Sequence, residues 1–252
     1  YLYRAYFDSM TTLHDPTVGK AAAARRFLEV IREAIGPDAH LLSCGAPLPC
    51  ALGLADSARI SADIHNFWGH VRHSAIQIAG TQWLNRRAWI NDPDFALIRC
   101  TETSADRYQN PPYTRRPYND PNDFWLAGDD ATWTELHTWL SLVHLCGGSI
   151  FASDSIPRLN ERGLSALAHL FSHPAPAPAV PLDLVDAVPP RLWLATAGER
   201  SHLGVFNWED EAAEVELPGN APTAGTDYWT GERMSLGRSV RLEGRSGMVV
   251  TF

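Results

Sequence analysis

As far as about residue 172 the apolar positions recur at helical spacing, in blocks separated by short apolar runs. Ala24, Phe27, Leu28, Ile31, Ala34 and Ile35 keep one face of a helix that Asp15-Pro16-Thr17 opens and Gly36 closes. His40–Ser43 reads as a short strand running into Cys44-Gly45-Ala46-Pro47. Ala58–Ala62 is a second strand, ending at Asp63. Val71–Trp83 has a helical pattern. Ala88–Ile90 is strand-like, stops in Asn91-Asp92-Pro93-Asp94, and continues extended through Phe95–Arg99. Thr101–Ala127 is polar, rich in proline and aromatics and without period, as in a long surface insertion. Asp129-Asp130 caps a helix whose buried stripe is Trp133, Leu136, Leu140 and Val143, with Gly147-Gly148 at its end. Ser149–Ala152 is a strand ending at Ser153-Asp154. Leu164, Leu167, Ala168 and Phe171 mark a last helix.

Strands alternating with helices predict an α/β fold with parallel strands. Each predicted strand ends in a polar or reactive residue: Cys44, Asp63, Asp94 and Asp154. That is the pattern of the active-site rim of a (β/α)₈ TIM barrel. Residues 173–181 then alternate Pro and Ala, as in a stiff linker. Beyond them the period falls to two in Arg191–Ala197, Leu203–Trp208, Ala213–Leu217 and Met248–Phe252. The predicted plan is a partial barrel over 1–172, a linker over 173–181 and a small antiparallel β-sandwich over 182–252.

Composition narrows the function. The 252 residues are 45% hydrophobic and 20% charged, with a formal net charge of −8. No Lys/Arg run is present, so nucleic acid is not an expected partner. No apolar stretch is long enough to predict a membrane span. The chain opens on Tyr1-Leu2-Tyr3-Arg4 rather than Met and reads as truncated, with no signal peptide visible. Cys44, Cys50, Cys100 and Cys146 match no zinc spacing, and isolated thiols suit a reducing compartment. Cytoplasmic and secreted locations both stay open. His65, His70 and His73 lack a carboxylate or Cys at ligand spacing, so no metal and no cofactor is expected.

The candidate chemistry lies in Arg59-Ile60-Ser61-Ala62-Asp63. An Arg and an Asp at the mouth of a strand can hold a hydroxyl-rich ligand together, or can be a structural ion pair.

In this order the motifs resemble the second half of the melibiase-type α-galactosidases, glycoside hydrolase clan D, nearer family 36 than family 27. Leu42–Pro47 resembles the fifth-strand motif, Cys followed by Gly-Ala-Pro. Arg59–Asp63 resembles the sixth-strand Arg-x-x-x-Asp. Trp89–Asp94 resembles the seventh-strand Trp-x-Asn-Asp-Pro-Asp, and Gly148–Asp154 the eighth strand. Gly204–Trp208 is similar to the start of the family's C-terminal β-domain. The resemblance implies a retaining glycosidase, most naturally an α-galactosidase, with Asp63 as general acid/base. It places Arg59, Cys44, Gly45 and Asp94 about the sugar, and Trp68 against its apolar face or else in the core. Asp92 reads as a turn cap. Burial beside Phe67 and Trp68 would raise the Asp63 pKa. The family nucleophile, an Asp in Lys-x-Asp, falls immediately before Tyr1; Asp8 is the nearby alternative but lacks the Lys. Gly45 stands where family 27 has a sugar-binding Glu, which leaves the exact sugar open. The missing barrel strands would come from the same or another chain, or through oligomerisation. The competing function is an inactive carbohydrate-binding or scaffold fragment.

Overall fold

A computed structural model describes residues 13–104 and 130–252. Asp8 and most of the expected insertion lie outside the described residues.

The first helix, α1 (Lys20–Ile35), begins later than its opening motif. Asp15 instead takes the Thr17 amide at 2.9 Å and closes a turn ahead of the helix. Gly36 ends it at φ 75°, donating to Arg32 O. Ala24 and Leu28 face a small core with Cys50, Ala51, Ala58 and Trp89. Next come β1 (Leu42–Ser43), a single helical turn α2 (Leu48–Ala51), β2 (Ser57–Arg59), α3 (Trp68–Thr81) and β3 (Ile90–Asp92).

These strands form one parallel sheet in the order β1-β2-β3. The expected strand at 149–152 runs on the far side of β3. It makes one parallel bridge, Ala96 to Ala152, and two backbone bonds, Ser149 N to Asn91 O at 2.8 Å and Ala96 N to Phe151 O at 2.7 Å. Gly148 makes this approach possible, since a Cβ there would sit on the Asn91 carbonyl oxygen. Gly148→Ala is therefore expected to cost about 1–3 kcal/mol, as overpacking does. A thermal melt within error of the parent would refute this.

Helix α4 (Trp133–Cys146) is capped by Thr132 rather than by Asp130, and Asp129 lies outside the described residues. Thr132 and Glu135 form a reciprocal capping box. The helix is buried nearly all round rather than along one stripe. One side packs on α3 and the other on an antiparallel sheet, which explains its apolar sequence. Helix α5 (Glu161–Ser172) is capped by Asn160, which accepts from Gly163 N at 3.1 Å.

The antiparallel strands are β4 (Val180–Pro181), β5 (Leu192–Ala197), β6 (Arg200–Asn207), β7 (Ala213–Glu216), β8 (Ala224–Asp227), β9 (Arg233–Ser235), β10 (Ser239–Leu242) and β11 (Ser246–Thr251). Six of them pair in the order β4-β5-β6-β11-β8-β9, and β7 pairs with β10 as a ribbon. Period-two alternation divides the large sheet. Trp193, Ala195, Phe206 and Val249 point to α4, whereas Leu192, Leu203, Val205 and Met248 meet the ribbon through Val215 and Leu242. The large sheet is thus a middle layer between helix and ribbon.

The main core is continuous from Ile60 and Val71 through α4 to Trp193 and Val249. The Pro/Ala stretch is packed down: Ala179 is buried and its amide bonds Leu145 O at 2.8 Å. Among the described residues no helix is long and apolar enough to cross a membrane.

Candidate functional site

The C-terminal ends of the parallel strands bring Arg59, Asp63, Asp92 and Asp94 together. Arg59 is the last residue of β2 and its side chain is 11% exposed. Its Nε meets Asp92 Oδ2 at 3.1 Å and its Nη1 meets Asp94 Oδ2 at 2.9 Å. Both carboxylates are 1% exposed. Nη1 also meets Asp63 Oδ1 at 3.3 Å, and Asp63 is 84% exposed. The cation is therefore anchored from below by two buried carboxylates and touches Asp63 from the side. Among the described residues its hydrogen bonds and ion pairs run through Nε and Nη1. The guanidinium carbon lies 5.5 Å from the centre of the half-exposed Phe95 ring.

Asp94 ties this arrangement together. It holds φ 85°, a left-handed conformation uncommon for a residue with a side chain. Its Oδ2 accepts from Ile64 N at 2.6 Å, immediately after Asp63, and its Oδ1 accepts from Phe95 N at 2.7 Å. Burial pushes its carboxyl up to about 6, against the opposing pull of the Ile64 amide and Arg59. Asp92 accepts from Asp94 N at 2.9 Å, so it closes the Asn-Asp-Pro-Asp turn besides pairing with Arg59.

A second pair lies beside the first. Asp154 receives the amides of Ile98 at 2.6 Å and Arg99 at 3.2 Å, and pairs with Arg99 Nη1 at 2.6 Å. His65 sits within electrostatic reach of both Asp63 and Arg99; burial lowers its pKa, and Asp63 opposes that. Cys44 is an exposed free thiol within reach of the Arg59 charge, and Gly45 turns the chain at φ 77°. Among the described residues no His/Cys/Asp/Glu group is arranged to hold a metal ion.

Three expectations change. Trp68 is not a sugar platform: it is buried and stacks on Trp208 at 5.9 Å between ring centres. Trp68→Ala is accordingly expected to cost about 3–5 kcal/mol of stability; a urea titration would detect it, and a loss under 1 kcal/mol would contradict the core assignment. Asp94 lies beneath the site rather than lining it. Phe67 and Trp68 both face the core, so they do not take Asp63 out of water.

The sequence reading placed Asp154 on this rim but missed its pairing with Arg99, and it missed Asp92 and Phe95 as parts of the rim. Asn-Asp-Pro-Asp carried the signal for Asp92, but a turn cap and an ion-pair partner look alike in sequence.

No family model matches the chain. Solved structures do. A Bacteroides fragilis protein provisionally named an alpha-galactosidase/melibiase superposes with a TM-score of 0.71 at 14% identity, over 94% of this chain and 52% of that one. The fold is melibiase-like. A family 27 β-L-arabinopyranosidase from Geobacillus stearothermophilus, solved with arabinose, gives a TM-score of 0.64 at 16% identity, over 90% of this chain and 54% of that one. Alpha-galactosidase I from Mortierella vinacea gives 0.59 at 11%, over 92% and 62%. The chain spans about half the length of the first two structures it resembles. On this melibiase-like fold, Asp63 stands on the rim where the parallel strands end.

Proposed function

We propose that the chain carries the acid/base half of a retaining glycosidase for terminal α-linked sugars, an α-galactosidase in the first instance. In this reading β1, β2, β3 and the 148–152 stretch are the last staves of a (β/α)₈ barrel, and the antiparallel layers are its C-terminal β-domain. The observation that carries the proposal is Asp63 itself. It is a solvent-facing carboxylate at a parallel strand end, beside an arginine whose other contacts are fixed by buried carboxylates.

The chemistry needs two carboxyl groups about 5–5.5 Å apart. Asp63 protonates the departing glycosidic oxygen and then deprotonates the incoming water. The other carboxylate attacks the anomeric carbon. Asp92 and Asp94 cannot attack, because both are buried and bonded. We assign the nucleophile to a carboxylate outside the described residues. Arg59 offers Nη2 to a sugar hydroxyl and orients Asp63, and Cys44 and Gly45 form the adjoining wall. Asp63 is open to water as it stands, and in this reading a bound sugar covers it during the reaction.

The exposure of Asp63, with no attacking carboxylate among the described residues beside it, also favours a second reading, a carbohydrate-binding fragment without turnover. An assay of the intact protein with aryl α-D-galactopyranoside and aryl β-L-arabinopyranoside separates the two, with the first-formed anomer followed by proton NMR. The proposal expects release with retained configuration. Inverted product overturns it, and saturable galactose binding without release selects the binding reading.

A further inference from the structure

Away from the rim, the chain carries an exposed apolar face that no part of the proposed chemistry uses. It surrounds a groove of about 490 Å³ lined by Trp83, Arg87, Val180, Pro181 and Leu184 among others. Trp83 is 63% exposed, and Val180 and Leu184 are also exposed. Beside the groove, residues 182–190 raise Val185, 93% exposed, with Val188 near it. Single apolar side chains on a surface need no explanation, but a contiguous group of this kind marks an interaction site.

This raised loop is built to be rigid. Asp183 is buried, its carboxylate takes the Arg191 and Leu192 amides at 3.0 Å each, and its carbonyl takes the Asp186 and Ala187 amides. Pro181, Pro189 and Pro190 frame the segment. A loop held so firmly presents Val185 at little entropic cost on docking.

Charge decides what it docks to. Arg87 lies on the groove wall and Asp186 follows Val185 on the knob. Among the described residues neither side chain has an ion-pair or hydrogen-bond partner. The face therefore holds a knob and a groove, with an acid on one and a base on the other. That is the self-complementary surface a two-fold axis requires, where residue i meets j and j meets i.

We propose that this face pairs with a second copy of the chain. Val185 and Val188 of one protomer enter the Trp83–Val180–Leu184 groove of its partner, and Asp186 meets Arg87 across the axis. The contact leaves the Asp63 rim free, so it is independent of the proposed activity.

Sedimentation equilibrium of the full 252-residue chain over a wide concentration range tests it. The parent should rise towards twice the monomer mass. Val185→Asp, at a fully solvated position that cannot harm the fold, should hold the chain monomeric. Arg87→Glu sets like charges against each other and should weaken pairing about tenfold or more. The double variant Arg87→Glu with Asp186→Arg should restore it. A parent that stays monomeric, a dimer indifferent to Val185→Asp, or a double variant no better than Arg87→Glu would each overturn the proposal.

Discussion

Replacing Asp63 with asparagine in the intact protein is expected to lower hydrolysis of an oligosaccharide α-galactoside by about 10²–10⁴-fold, the usual worth of a positioned general acid. An amide cannot donate the proton that the departing oxygen needs. An activated aryl galactoside should suffer less in the first step, since its phenolate leaves unaided. Added azide should then restore turnover, because it attacks the glycosyl-enzyme without a general base. The fold should not change. Asp63 is 84% exposed and its ion pair with Arg59, at 3.3 Å, is exposed on one side; contacts of that kind contribute about 0–1 kcal/mol. The readouts are rates on both substrates, with and without azide, and a melting curve. Near-parent rates on both substrates would reduce Asp63 to a surface partner of Arg59.

Arg59 carries a stability effect as large as that expected at Trp68. Arg59→Met removes the only cation recorded against Asp92 and Asp94 among the described residues, and leaves two carboxylates that are 1% exposed without a counter-charge. Breaking a buried pair from one side typically costs about 3–5 kcal/mol. The pH dependence supplies a second check. Burial raises the folded-state pKa of Asp94 to about 6 from the ordinary 3.8. Between those values the folded state binds more protons than the unfolded chain, so this group's contribution to stability falls as pH rises. Without Arg59 the ionised form keeps the Ile64 and Phe95 amides but loses its counter-charge, so the fall should extend further above pH 6. Urea titrations of parent and variant at pH 5 and pH 8 test this. A deficit equal at both pH values would mean that Arg59 acts through packing alone.

These two predictions rest on residues that stood out differently in the sequence. Arg59 and Asp63 were legible from the start, because a strand ending in Arg-x-x-x-Asp announces a charged rim whatever the partners are. Their distinct roles were not. Sequence spacing places Asp63 four residues after Arg59, yet Arg59 spends its strongest contacts on Asp92 and Asp94, more than thirty positions away. Only the parallel pairing of β2 with β3 brings those groups into range.

The same division holds through the chain. Local chemistry determined the alternation of helix and strand, the Gly36 stop, the Asn-Asp-Pro-Asp turn and the change to period two after the Pro/Ala stretch. Each depends on side chains near in sequence, and the motif order already pointed to a melibiase-like architecture. Tertiary structure decided which face of each element was buried. Trp68 went to Trp208 in the core rather than to the rim, because an aromatic beside a site and one beneath it have the same spacing. Helix α4 was buried on both sides because a sheet formed much later in the chain closes over it. Asp94 holds a left-handed backbone while its carboxylate gathers the Arg59 guanidinium and the Ile64 amide. Such convergence depends on groups far apart in sequence, and their meeting is fixed only when the strands align.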